Sequence, residues 1–314
     1  MENLTFTLNV VAPVFLIIIL GLFLKIKNFI DDSFINISSK IVFRITLPAF
    51  IFTKLSLADF KLSLGFSKIL LVFISMILFY VLIWIISIPL IKKGRDRASF
   101  IQGSFRSNFV IIGFAILYNM FGDNGVSKAA LLLVFLQPFF NLTSIIALTV
   151  PVHQEKKINL TKTFYEILTN PLLLAVILAT PFSYFKIQLP TFLAKSVTHL
   201  AALTLPLALI GIGGSLNLKS IKKDFRIAFI SSVIKIIILP IVLTTVAIYL
   251  GFTDVDLGVL FILFATPTAV LSFILAKAMD CNAELAGNII VLTTLGSILT
   301  ISTGIYILRF AGYF

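Results

Sequence analysis

The chain is laid out as apolar blocks of bilayer length divided by short polar connections. A membrane-crossing helix needs roughly 20 mostly apolar residues. Ten such blocks can be marked, at about 8–26, 41–57, 67–91, 99–121, 129–150, 163–182, 199–216, 227–250, 258–277 and 286–310. The second and seventh are shorter and carry central prolines, Pro48 and Pro206. Connections are brief and polar, as in Lys92-Lys93-Gly94-Arg95-Asp96-Arg97. The segment 183–198, with Pro190 and Lys195, predicts a short interfacial helix. The pattern predicts an all-α polytopic membrane protein of ten transmembrane helices, with no soluble domain.

Composition strengthens this reading and narrows the chemistry. The 314 residues are 59% hydrophobic and 12% charged, whereas soluble chains run near half apolar and about a quarter charged. The mean hydropathy of +1.12 points to several spans rather than one anchor. A single cysteine, Cys281, excludes an internal disulfide and any Cys-rich metal site. His153 and His199 are too far apart for a paired zinc motif. No metal and no cofactor are expected. The net charge of +12 would suit a nucleic-acid partner, but cytoplasmic loops of membrane proteins also collect Lys and Arg. The expected surroundings are the lipid bilayer, without nucleic acid.

The basic residues set an orientation. No basic residue precedes the first apolar block, and Lys25 and Lys27 follow it, so that block is expected to stay as a span that begins outside. With the N-terminus outside, 16 basic residues fall at cytoplasmic ends, among them Lys92, Lys93, Arg95 and Arg97, and 7 fall outside. Arg106 and Lys235 lie within spans. This positive-inside bias predicts a plasma-membrane protein with both termini extracellular.

The halves echo each other. Thr46-Leu47-Pro48 matches Thr204-Leu205-Pro206, and Pro13 matches Pro171, both at a separation of 158. Five spans per half is odd, so the second copy would enter from the opposite side. Residues 1–150 and 163–314 are therefore expected to be two inverted five-helix repeats, joined by a cytoplasmic loop at 151–162. Transporters of this architecture bind substrate near the midplane.

Polar interruptions mark where spans should break. The fourth span carries Ser107, Asn108 and Gly113, and the ninth carries Thr266-Pro267-Thr268. Freed backbone groups there must line a cavity or meet protein, because lipid cannot satisfy them. At the 158 offset Asn108 aligns with Thr266. Two such breaks would cross at the centre and aim half-helix N-termini at an anion. Gln137 and Asn141 share a face of the fifth span. Pro48, Pro206 and Pro267 are the expected hinges.

Taken together, Thr46-Leu47-Pro48, Arg106-Ser107-Asn108 with Gly113, Asn170-Pro171, Leu205-Pro206-Leu207-Ala208 with Gly211, Gly213 and Gly214, and Thr266-Pro267-Thr268-Ala269 resemble the auxin efflux carrier (PIN-like) family, which includes bacterial organic-acid permeases. The similarity runs across essentially all ten spans. It implies a scaffold and a transport domain, with crossed fourth and ninth spans like those of bile-acid/sodium symporters. It also implies carriage of small organic anions such as malate, malonate or auxin. One departure is that Gly113-Phe114-Ala115 lacks the proline that the family usually has there.

Embedded charge completes the inventory. An ionisable residue inside a membrane costs about 2.5–3.5 kcal/mol on insertion scales and marks a candidate site. Lys235 is read as a substrate counter-charge or a lock between domains, with snorkelling as the alternative. Arg106 lies closer to a span end, where snorkelling competes equally. All thirteen acidic residues fall in loops or at span ends, so a proton relay has no evident carrier. Sodium could still bind neutral oxygens. The leading expectation is an elevator-type secondary carrier of a small organic anion, and not an enzyme. Its substrate-binding candidates are Ser107, Asn108, Gly113, Gln137, Asn141, Lys235, Thr266, Pro267 and Thr268. A sodium-coupled bile-acid-like symporter, a channel and a sensor are the alternatives, and homodimerisation and Na+ or H+ coupling stay open.

Overall fold

The computed structural model describes residues 2–57, 66–152, 169, 171–216 and 224–314. Among these residues the protein is all-helical, without strands. We number the helices α1 Glu2–Ile26, α2 Asp32–Ser56, α3 Phe66–Leu90, α4 Gly94–Phe105, α5 Phe109–Thr149, α6 Pro171–Phe185, α7 Thr191–Ser215, α8 Phe225–Tyr249, α9 Asp254–Ala265, α10 Leu271–Ala278 and α11 Ala283–Phe310. Seven of them, α1, α2, α3, α5, α7, α8 and α11, are long and apolar enough to cross a membrane. Helix α5 is kinked at Gly122, whose φ of +60° and ψ of −143° are not helical. The expected 151–162 loop and Asn170 lie almost wholly outside the described residues.

Two expectations need correction. The second and seventh spans are not short, since α2 and α7 each run for 25 residues. Hydropathy misses the first half of α2 because Asn36, Ser38, Ser39 and Lys40 dilute it; Ser38 and Ser39 satisfy their hydroxyls on the Ile35 carbonyl. The expected interfacial helix at 183–198 is likewise not separate. From Thr191 onward it forms the first part of α7, which turns at Leu203 before continuing to Ser215.

Prolines shape the long helices through their missing N–H and their clash with the carbonyl four residues back. Pro48 and Pro240 each begin an α-helical segment straight after a wide π-turn, at Val42–Thr46 and Ile234–Ile238. The carbonyls that each ring would strike, Arg44 and Ile236, lie inside those turns, where the wider winding makes room. Helix α2 thus continues through Pro48, and the turn in α7 falls at Leu203, three residues before Pro206.

Between α1 and α7 the backbones touch. A Cβ on Gly21 would lie 2.3 Å from the Ile210 carbonyl oxygen, and one on Gly213 would lie 1.9 Å from that of Ile18. Glycine is required at both. Where helix association gains little from hydrophobic burial, such close approach supplies the contact. On the far side Tyr80 of α3 donates to the Thr143 carbonyl at 2.9 Å, and its ring stands edge-on to Phe105.

Candidate functional site

Helices α4 and α9 both stop inside the protein. Helix α9 ends because Pro267 forces Thr266 into an extended conformation, with ψ at 144°. Helix α4 has no proline after it. It ends where Arg106 turns extended, ψ 116°. The chain resumes as helix at Phe109 and at Leu271.

The two interruptions lie antiparallel, with Ser107 opposite Thr268. The Asn108 N–H donates to the Pro267 carbonyl at 2.8 Å, and the Ala269 N–H to the Arg106 carbonyl at 3.2 Å. Side chains repeat the exchange. The Ser107 hydroxyl donates to the Leu263 carbonyl at 2.8 Å and pairs closely with the Thr266 hydroxyl. The Thr268 hydroxyl donates to the Gly103 carbonyl at 2.6 Å. Each hydroxyl therefore closes a carbonyl near the end of the opposite helix, a group that no helix bond can satisfy. The Thr268 N–H is held by the Thr293 hydroxyl of α11 at 3.2 Å.

The pairing sets which residues of the two interruptions face each other. The interrupted helices end at Phe105 and Ala265, 160 apart rather than 158. In the antiparallel pairing Ser107 faces Thr268 and Asn108 faces Pro267. The connection before α9, residues 250–253, is one residue longer than residues 91–93 before α4.

Both embedded cations are buried here. Lys235 is 0% exposed, and its Nζ donates to the Phe264 carbonyl at 2.8 Å, in the last turn of α9. The π-turn of α8 carries it there. A cation at a helix C-terminus meets the negative end of the dipole. Arg106 is 4% exposed. It donates through Nη1 to Ser144 Oγ at 2.6 Å and the Phe140 carbonyl at 3.4 Å, and through Nη2 to Asn141 Oδ1 at 3.3 Å. Both side chains are enclosed by protein. Among the described residues the close ion pairs lie elsewhere, at Lys25–Asp32, Lys54–Asp123, Lys128–Asp256 and Arg309–Glu2.

The candidates thus separate into groups. Ser107, Asn108, Thr266, Pro267 and Thr268 meet at the crossing, with Lys235 beside it through Phe264. Gln137 and Asn141 line a small cleft against Leu172, Leu173 and Val176 of α6, and Asn141 joins it to Arg106. Gly113 closes the π-turn Phe109–Gly113, where an added Cβ would lie 2.7 Å from the Phe109 ring. Buried Asn108 makes no side-chain hydrogen bond among the described residues.

The sequence itself matches a known family. The profile described as "membrane transport protein" matches residues 6–305. The chain belongs to this auxin efflux carrier-like membrane transport family. It is similar to an uncharacterized transporter of Methanocaldococcus jannaschii, 25% identical over 94% of this chain and 96% of the relative. A second uncharacterized transporter, from Methanothermobacter thermautotrophicus, is 22% identical over 93% and 95%. The protein is a multi-pass membrane transporter.

Residues that hydropathy passed over also belong to the transporter's interior. Gln102, one turn before Arg106, is 2% exposed and has neither amide atom paired. Ser144 accepts from Arg106, and Ser272 is 0% exposed with an unpaired hydroxyl. The available signal was spacing, since Gln102 and Arg106 are four apart.

Proposed function

We propose that this transporter is a secondary carrier of a small organic anion, a dicarboxylate such as malate or malonate or an auxin-like acid, working by alternating access of the elevator type. The observation that carries the reading is the burial of Arg106 and Lys235 beside the crossing with only neutral partners. Burying a charge costs several kcal/mol even after the protein relaxes. Two buried cations without a charged partner among the described residues are best offset by ligand groups of opposite sign. The half-helices that start at Phe109 and Leu271 add first-turn N–H groups to the same region.

The proposed architecture is ten membrane helices in two inverted repeats of five. In it α4 joins the Phe109 arm of α5 as the fourth, and α9 joins α10 as the ninth. The near-constant spacing of helix starts supports it: Asp32 and Thr191, and Gly94 and Asp254, are 159 and 160 apart. The proposed substrate groups are Ser107, Asn108, Thr266, Pro267 and Thr268 at the crossing, Lys235 beside it, Gln137 and Asn141 in the adjoining cleft, and Gly113 in the π-turn. Both termini are proposed to be extracellular.

Counterflow of labelled malonate, malate and indole-3-acetate in proteoliposomes tests the reading. Saturable exchange of one of these anions is expected, and sodium or pH gradients imposed in parallel identify any coupling. Exchange of none of them, or conduction without saturation, would overturn it.

A further inference from the structure

Gln102, Arg106 and Ser272 form a second polar group, offset from the crossing toward the Lys92–Arg97 end of the protein. Its location follows from the packing beneath it. Ala98, Leu148, Ala276 and Ala286 pack together as one cluster from α4, α5, α10 and α11. One helical turn nearer the crossing, each of the first three helices carries a polar residue at the same angular position: Gln102 four after Ala98, Ser144 four before Leu148, Ser272 four before Ala276. The turn-by-turn register stacks a polar layer directly on the alanine-rich one. Arg106 reaches Ser144 from its own side of that layer.

The layer is rich in donors without acceptors. Arg106 uses three of its five N–H groups. Among the described residues the Gln102 amide nitrogen and the Ser272 hydroxyl have no partner, and neither does the Gln102 amide oxygen. Buried polar groups are ordinarily paired, so each orphan calls for an explanation. Several orphan donors around a buried cation match the needs of an anion that accepts along every edge. The geometry points to a binding site for a carboxylate group in this layer, separate from the Ser107–Thr268 crossing. The lone Gln102 oxygen would accept from a hydroxyl or protonated carboxyl on the same ligand. Beyond the alanine layer an open pocket is bordered by Lys93, Arg95 and Asp96.

This site deepens the organic-anion reading and rests on it. Gln102→Leu, Ser272→Ala and the double variant of the full chain, purified in detergent, test it by melting temperature and by titration with malonate, malate and indole-3-acetate. Without ligand, all three variants should melt at or above the wild-type temperature, because each removes unpaired polar atoms. Affinity for the bound carboxylate should fall by about tenfold or more, the loss of one hydrogen bond to a charged group. Ser272→Ala changes only one atom, so it carries the test even if Gln102→Leu does not fold. Undiminished affinity in these variants would overturn the site and leave only a buried polar defect. A wild-type protein that binds none of the three anions would remove the organic-anion reading itself, and the site with it.

Discussion

Replacing Lys235 by methionine keeps most of the length of the side chain and removes its charge, which separates anion attraction from packing. The side chain is fully buried and has one hydrogen bond, to the Phe264 carbonyl at 2.8 Å. In the empty protein, burial of the ammonium costs several kcal/mol. Its charged hydrogen bond returns about 1.5–3 kcal/mol, and orphaning the Phe264 carbonyl would cost about 1–3 kcal/mol. These terms nearly cancel, so Lys235→Met should melt within a few degrees of wild type. The loaded protein differs. A carboxylate about 6 Å from the ammonium, at an effective dielectric near 20, gains about 2.8 kcal/mol, roughly 100-fold in affinity. Malonate binding by calorimetry should therefore weaken by about two orders of magnitude while stability is held. Lys235→Arg should keep much of the affinity and lose turnover, because a planar fork cannot sit on one carbonyl as a compact ammonium does. Unchanged malonate affinity in Lys235→Met would refute the reasoning. A large fall in melting temperature with affinity intact would make Lys235 a brace between α8 and α9.

Three further outcomes follow from the packing and the site. Gly213→Ala should destabilise by about 1–3 kcal/mol or more, because its Cβ would meet the Ile18 carbonyl at 1.9 Å, whereas Gly211→Ala, with Ser38 Oγ 3.9 Å away, should be tolerated; melting temperatures in detergent compare them. Arg106→Lys keeps the charge but cannot reach Phe140, Asn141 and Ser144 together, so counterflow should slow and the melting temperature should drop. Cys281, in the turn between α10 and α11, has its thiol pushed up to about 11 by burial, with Arg95 opposing and Asp280 adding. Only about one thiol in a thousand is ionised at pH 8, so iodoacetamide labelling should be slow and should speed up about tenfold per pH unit through pH 9; fast labelling at pH 7 would contradict that burial.

The local chemistry of the chain settled which segments are helical, and it did so through few signals. Apolar blocks of bilayer length have one stable form in lipid, because every backbone group must be satisfied within the segment. Pro267 likewise stops α9 through sterics confined to its neighbour Thr266. Arg106 and Lys235 stood out as embedded charges on hydropathy alone. Tertiary structure decided the rest. That Lys235 caps α9 through Phe264, and that Arg106 turns to Ser144 and Asn141, depends on helices brought together from distant parts of the chain. Hydropathy also misplaced the starts of α2 and α7, since polar residues such as Ser38 are tolerated once a neighbouring carbonyl accepts their protons. The register of the crossing lay beyond reach for a similar reason. Only the reciprocal hydrogen bonds between the broken ends, which set Ser107 against Thr268 and Asn108 against Pro267, fix which residues face each other.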